Sequence, residues 1–462
     1  MEATFVVVGG GIAGVSCAET LAFLEPEERI ILISESSLIK TVTNLHAITR
    51  TLQDFDIKET ESSYLSAKYL NVTVLHETLL EIDDVNHIVS TSSNKIKYKF
   101  LCLCLGAQPK LIPQAAAFPQ ILGIRDTDSV ETFVEKLQNS KKIVVVGNGG
   151  IASELVFKMQ NVEVDWVIRD KHISATFVDP GAAEFFQSSL RRQRSPEEPV
   201  TKRMRYNEDN LKKSGAALGP DWYKNLIISG SQNHESHSQI KIHYENEINN
   251  VTALENSVFP IEVTLTNGEK ITCDIVVSAT GVHPRSNFVT QNEFKKSEDG
   301  GIQINEFMQT SLQDIYAAGD LCNASWPLAK HWFQMKLWTQ ARQMGCYAAK
   351  CMSAHFQKES TLQDFCFEMF AHSTKLFGYK VILLGLYNGQ KLGTNYEILI
   401  RMSKETEYIK FVLENNRLQG AVLIGDTDLE EMCENLILNQ LDLSPYGDDI
   451  LNPNIDIEDY FD

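Results

Sequence analysis

The pattern of hydrophobic and polar positions changes period twice within the first thirty-odd residues. Thr4 to Val8 is a short, apolar, β-branched run of the kind that forms a strand buried on both faces. At Gly9-Gly10-Gly11 it gives way to helical spacing, and Arg29 to Ile33 returns to strand character, which predicts a βαβ unit. The same order recurs from Lys142: Ile143 to Val146 as strand, Gly147 to Ala152 as turn, Ser153 onward as helix, and Val164 to Ile168 as the second strand. Two nucleotide-type folds in one chain follow.

Each unit leads to an apolar run that breaks at glycine with a proline three residues later. These are Leu101 to Pro109, through Gly106, and Ile275 to Pro284, through Gly281. Such breaks mark a chain leaving one domain for another. The expected division is a discontinuous first domain over 1–125 and 282–352, and a second over 126–281 with a polar, irregular insertion at 171–247. A smaller α+β domain over 353–441 and an acidic, extended tail over 442–462 complete it. In the third region, Lys380 to Leu386, Tyr408 to Leu413 and Ala421 to Ile424 predict a small antiparallel sheet, and Asp428 to Leu441 predicts a helix. A long helical pattern also runs from about Lys330 to Ala349. The fold class is α/β: two Rossmann-like dinucleotide-binding domains plus the smaller one.

The chemistry begins at the two turns. In Gly9-x-Gly11-x-x-Gly14 the first glycine permits a tight turn, the second lets backbone approach a pyrophosphate, and the third lets helix pack against strand. The helix N-terminus then offers unpaired N–H groups to an anion. The second turn, Gly147-x-Gly149-x-x-Ala152, replaces the third glycine with alanine at little steric cost. An acid near the end of the first unit's second strand is expected to hold a ribose, and Glu35, beside Ser34, is the candidate. In the second unit that place reads Arg169-Asp170, where a guanidinium tolerates a 2′-phosphate, so NADPH is permitted beside NADH. Ile315-Tyr316-Ala317-Ala318-Gly319-Asp320 delivers a carboxylate after a glycine, suited to accept a hydrogen bond from a ribityl hydroxyl.

Composition narrows the partners. The 462 residues carry a formal charge of −19, but twelve acidic and no basic residues follow Arg417, so the remainder holds 49 acidic against 42 basic residues, or −7. An end so acidic disfavours nucleic acid or an anionic membrane as direct ligand and suits a cationic or metal-bearing protein surface. The chain opens with no basic, apolar leader and no run long enough to span a bilayer, which predicts a nuclear and cytoplasmic home. Basic clusters at Arg191 to Arg194 and Lys202 to Lys213 read as either a nuclear address or an exposed loop. Nine scattered cysteines contain no Cys-x-x-Cys. Cys102 and Cys104 share one face of a strand and read as buried thiols, so no disulfide or metal chemistry is expected.

Taken in order, the two glycine turns, the two crossover phrases and the Gly319-Asp320 strand resemble the FAD-dependent pyridine nucleotide-disulfide oxidoreductase superfamily over residues 4 to 350, and within it an animal branch. The resemblance implies FAD contacts at Gly9, Gly11, Gly14 and Asp320, and NAD(P)H contacts at Gly147 and Gly149; Ile12, Ala13, Gly106, Arg169 and Gly319 are further cofactor-binding candidates. It implies that Glu154 stands near the nicotinamide and that Lys40 approaches the flavin and pairs with Glu154. It also implies a partner, the catalytic subunit of the tRNA ligase complex, shielded from oxidative inactivation. The chain departs from the superfamily in lacking its redox-active cysteine pair. The expected function is therefore an NAD(P)H:acceptor oxidoreductase, and the rival is a binding protein whose flavin state sets partner affinity, with the tail from Pro453 to Asp462 as its docking element.

Overall fold

The computed structural model describes residues 1–190, 228–231, 240–403 and 405–452. The basic clusters from Arg191 to Lys213 and the acidic segment Pro453 to Asp462 lie outside the described residues.

The strand Glu2–Val8 sits near the centre of the first sheet, with Ile30–Ser34 parallel on one side and Lys95–Leu103 parallel on the other. Its side chains from Phe5 to Val8 are buried, as a parallel strand covered on both faces requires. The strand Lys95–Leu103 serves two partners in succession. Lys95 to Lys97 pair antiparallel with Ile88–Thr91, while Leu101 to Leu103 pair parallel with Ile315–Ala317. The chain therefore returns to its first sheet after passing through the second.

The second sheet has the order Ile121–Gly123, Ile275–Ser278, Lys142–Val146, Glu163–Val167, Ile240–His243, all parallel. Its last strand and the helix Pro180–Leu190 both fall inside the expected insertion, which is thus partly integral to the domain. Where the chain crosses between sheets, Ala107–Pro109 and Val282–Pro284 pair antiparallel with each other. The two crossovers form one short ribbon.

The C-terminal unit is an antiparallel sheet ordered Ala371–Leu376, Tyr379–Gly385, Arg417–Ile424, Glu407–Glu414, Glu397–Ser403, with the helix Glu430–Asn439 packed on it. It shares a core with the second domain: Phe185 lies 5.0 Å from Tyr379 and Phe186 4.9 Å from Phe377, ring centre to ring centre. Beside these rings the buried Lys410 ammonium meets the Asp179 carboxylate at 2.5 Å.

One helix begins later than its pattern predicts. The helical spacing starts near Lys330, but the helix spans Trp338–Gln357. Gln340 holds the preceding residues out of helical form: its amide donates to the Phe333 carbonyl at 2.9 Å, and its oxygen accepts the Met335 N–H at 2.7 Å. This helix crosses Ile12–Leu24 at backbone contact. A Cβ on Gly345 would lie 2.2 Å from the Ala13 carbonyl oxygen, and one on Gly319 would lie 2.9 Å from the Ala13 Cβ.

The helix N-terminus also rests on His372, which is fully buried. Its Nδ1 lies 3.0 Å from the Thr339 hydroxyl, and its ring packs between Phe177 and Trp338. Burial alone pushes this imidazole down to about 3.

Two outcomes follow for stability. Gly345→Ala should lower the unfolding free energy by about 1–3 kcal/mol, because a methyl at backbone contact forces the helices apart; denaturant titration measures it. The folded pKa of His372 lies below its ordinary value of 6.5, so its contribution is complete above that value and fades as pH falls toward about 3. The stability of His372→Leu relative to the parent should therefore rise by up to about 1.4 kcal/mol per pH unit below 6.5. Parallel stability curves would contradict this.

Candidate functional site

The two glycine turns are built alike. Gly9 and Gly147 both have φ of +126°, and a Cβ on either would lie 2.1 Å from a carbonyl oxygen of the neighbouring strand end, Cys104 in one case and Ala279 in the other. Gly14 is shut in as tightly, with the Gly9 carbonyl 2.0 Å from where its Cβ would stand. The middle glycines differ from these. A Cβ on Gly11 or Gly149 would meet nothing within 4 Å. Each is the N-cap of its helix, in extended conformation and with no side-chain capping bond. The helix N–H groups are thus left open beside free space, the arrangement that accepts a pyrophosphate.

Both turns face one cleft of about 620 Å3. Gly11, Ile12, Ala13, Gly106 and Asp320 line it from the first domain, and Gly147, Gly149, Glu154 and Arg169 line it from the second. The three glycines Gly9, Gly14 and Gly319 act from behind, letting backbones approach. Glu154 is buried at the cleft wall on the helix Gly150–Lys158. Asp320 is held by the Arg125 guanidinium, whose Nε also donates to the Ala107 carbonyl at 3.3 Å, next to the crossover ribbon. Trp338 and the N-terminal end of its helix complete the wall.

Two expected residues stand elsewhere. Lys40 does not pair with Glu154: it lies on the strand Leu38–Ala47, directly across from Glu59 on Gln53–Glu61, and its ammonium meets Glu59 at 2.6 Å. Burial pushes the lysine down while Glu59 opposes the shift, and Thr127 donates to the same carboxylate. Glu35 does not turn inward. The Ser34 hydroxyl fills the space beneath Gly10 and bonds both backbone groups of Ser36, so the chain turns and Glu35 points out to Arg285 at 3.3 Å.

The hairpin that carries Lys40 is the part of the site that sequence reading missed. It contributes Asp54, Phe55 and Asp56 to the cleft. Its tip is pinned by the buried Glu434, which accepts the N–H groups of Arg50 and Thr51, both at 3.0 Å, and the hydroxyls of Thr49 and Thr51. Its flank is tied to the long helix, where Arg342 donates to Gln53 at 2.6 Å. The available signal was the alternation of polar and apolar residues from Asp54 to Ile57, a strand pattern.

All nine cysteines are free thiols. Cys104 lines the cleft, and its sulfur lies 3.6 Å from that of Cys102. The hydrogen bond with Cys102 and burial together push the Cys104 thiol well above its usual range, which disfavours the reactive thiolate. Among the described residues no group of three or more His, Cys, Asp or Glu could hold a metal ion, and no helix is long and apolar enough to cross a membrane.

This geometry matches what comparison finds. The family model described as pyridine nucleotide-disulphide oxidoreductase matches residues 3–195 and 227–345, and the rubredoxin NAD+ reductase C-terminal domain matches 371–441. The chain is similar to pyridine nucleotide-disulfide oxidoreductase domain-containing protein 1 of Drosophila melanogaster, 51% identical over 469 residues and covering 99% of each chain. The Homo sapiens protein of that name is 48% identical over 491 residues, covering 99% of this chain and 98% of its own. Among solved structures, a ferredoxin reductase from Rhodopseudomonas palustris shares the fold with a TM-score of 0.66 at 19% identity, covering 91% of each chain. FAD and NAD(P)H are the cofactors that go with these matches. With a matched model over more than half its length and relatives near half identity, the chain belongs to the pyridine nucleotide-disulphide oxidoreductase family.

Proposed function

We propose that the protein is an FAD-dependent NAD(P)H:acceptor oxidoreductase that works without a redox-active cysteine pair. The observation that carries this is the single cleft onto which both open glycine turns face. The residues present fit the two cofactors. Gly11 and its helix N-terminus would hold the FAD pyrophosphate, and Asp320, steadied by Arg125, would accept from the ribityl chain. Gly149 and its helix would hold the pyrophosphate of NAD(P)H, with Glu154 on the next turn of that helix beside the nicotinamide. When bound, a flavin supplies a two-electron centre able to take hydride from a reduced nicotinamide.

The chain's own work is positioning. Hydride transfer needs alignment of two rings more than acid or base catalysis. The rings of Phe55, Trp338 and Phe177 line the cleft and narrow the space. The N-terminus of Trp338–Gln357 directs its positive dipole end into the cleft, where negative charge on the reduced cofactor is favoured. Lys40, bonded to Glu59 across the two strands of the hairpin, supports the wall from outside the cleft lining. The raised Cys104 thiol gives no activated sulfur for a disulfide relay, which supports electrons leaving directly to an acceptor.

As its biological role we propose protection of the catalytic subunit of a tRNA ligase complex from oxidative inactivation, in nucleus and cytoplasm. This follows the sequence resemblance, and the acidic C-terminal end suits a cationic or metal-bearing partner surface. A partner-binding role set by cofactor state is compatible with it, because a ligand shifts an equilibrium by its differential affinity for two states.

Anaerobic addition of NADH or NADPH to the purified yellow protein should bleach its visible absorbance. Colourless protein, or colour that neither nucleotide removes, would contradict the proposal. Once air is admitted, rapid recovery of colour points to turnover, and recovery over many minutes to the partner-binding role. Asp320→Ala should weaken FAD retention by about tenfold or more, the loss of one charge-assisted hydrogen bond. Lys40→Met should leave bleaching within about twofold, since no transition-state contact is removed.

A further inference from the structure

The two forms of the nicotinamide dinucleotide differ at one place, the 2′ position of the adenosine ribose, which carries a hydroxyl in NADH and a phosphate in NADPH. A free carboxylate beside that position selects the first, and a free guanidinium selects the second. After the strand Glu163–Val167 this chain presents both, Arg169 and then Asp170, and both line the cleft. Residue type therefore leaves the choice open. The bonding of the two side chains differs sharply.

Asp170 is engaged. Its Oδ2 accepts from the Asn148 side-chain amide at 2.8 Å. Asn148 is the residue between the two glycines of the phosphate turn and is 8% exposed. The same amide nitrogen donates to the His172 carbonyl at 2.9 Å, and the amide oxygen accepts the Ser174 N–H at 2.5 Å. These three bonds fix Asn148 and, through it, Asp170 against the 170–174 loop. Arg169 is exposed and, among the described residues, has no hydrogen bond or ion pair. Glu247 is a second, exposed acid at the cleft, on the segment before the strand Ile248–Ala253. An unneutralised cation thus stands where the chain leaves its second strand, with the adjacent acid tied down.

We propose that Asn148 is a specificity-determining positioning residue. By holding Asp170, it leaves the ribose end of the cleft to Arg169 and selects the 2′-phosphorylated nucleotide, NADPH. The inference rests on the reading of this cleft as the NAD(P)H site. Arg169 contacts the ligand, and Asn148 acts through Asp170.

Fragments carrying only the discriminating end of the ligand test this without turnover. Calorimetric titration of the FAD-loaded protein with 2′,5′-ADP and with 5′-AMP should show the first binding about tenfold tighter or more, as a charge-assisted contact provides. Arg169→Gln should remove that advantage. Asn148→Ala should reduce the advantage by releasing Asp170, and the double change Asn148→Ala with Asp170→Asn should restore it. Equal binding of the two fragments by the parent protein would overturn the proposal, as would an advantage that survives Arg169→Gln or a failure of the double change to rescue. If NADH and NADPH both bleach the protein while the parent shows no preference for the 2′-phosphate, only this proposal falls. If neither nucleotide bleaches it and neither fragment binds, the reading of the cleft falls with it.

Discussion

The backbone contacts at Gly9 and Gly147 govern everything near the cleft. In each case a carbonyl oxygen at the end of a neighbouring strand presses so close to the glycine that no side chain could stand there. That contact sets how near the end of one strand lies to the turn of the next. It thereby fixes where the following helix starts and where its uncapped N–H groups point. The third glycine of the first turn repeats the constraint one step further on, against the Gly9 carbonyl, and Gly345 repeats it between helices, against the Ala13 carbonyl. A chain of backbone contacts thus runs from the first sheet to the helix Trp338–Gln357, and the cleft is what remains between them. The crossover ribbon of Ala107–Pro109 with Val282–Pro284 brings the second turn to the same space.

Much of this was legible in the sequence because it depends on short-range rules. Apolar β-branched runs flanked by glycine made both βαβ units readable, and the two glycine-to-proline phrases marked the crossovers. The place of Asp320, after a buried apolar strand and a glycine, pointed to a cleft position, and the residue lines the cleft. What the sequence concealed depended on particular side-chain bonds, some to partners distant along the chain and some local. The resemblance places Lys40 beside Glu154, but its partner is Glu59, nineteen positions away on a strand with only a weak pattern of its own. Glu35 was expected to turn inward, but the Ser34 hydroxyl, fitted beneath Gly10, sets the chain direction. The helix expected from Lys330 starts at Trp338 because one glutamine side chain bonds two backbone groups ahead of it. Periodicity cannot register a competing side-chain bond of that kind.

The site is also notable for what its buried polar groups do not offer. Cys104 reaches the cleft, yet its hydrogen bond with Cys102 and its burial favour the neutral thiol. His372 stands behind Phe177 and Trp338 as a neutral ring rather than a charged one. Neither is prepared for nucleophilic or acid chemistry. The polar work falls instead to anion-binding backbone and to a few placed charges, which is the division of labour expected when a cofactor supplies the reactivity. Glu434, accepting from the hairpin backbone, and Arg342, donating to Gln53, then keep the walls in place around it.

We propose that FAD and NAD(P)H meet in the one cleft between the two glycine turns. A crystal structure of the FAD-loaded protein with NADP+, which cannot reduce it, tests this most directly. One pyrophosphate is expected at Gly11 and the other at Gly149, with the nicotinamide stacked on the flavin beside Glu154. A nucleotide bound outside the cleft, or a flavin seated away from the Gly9 to Gly14 turn, would contradict it.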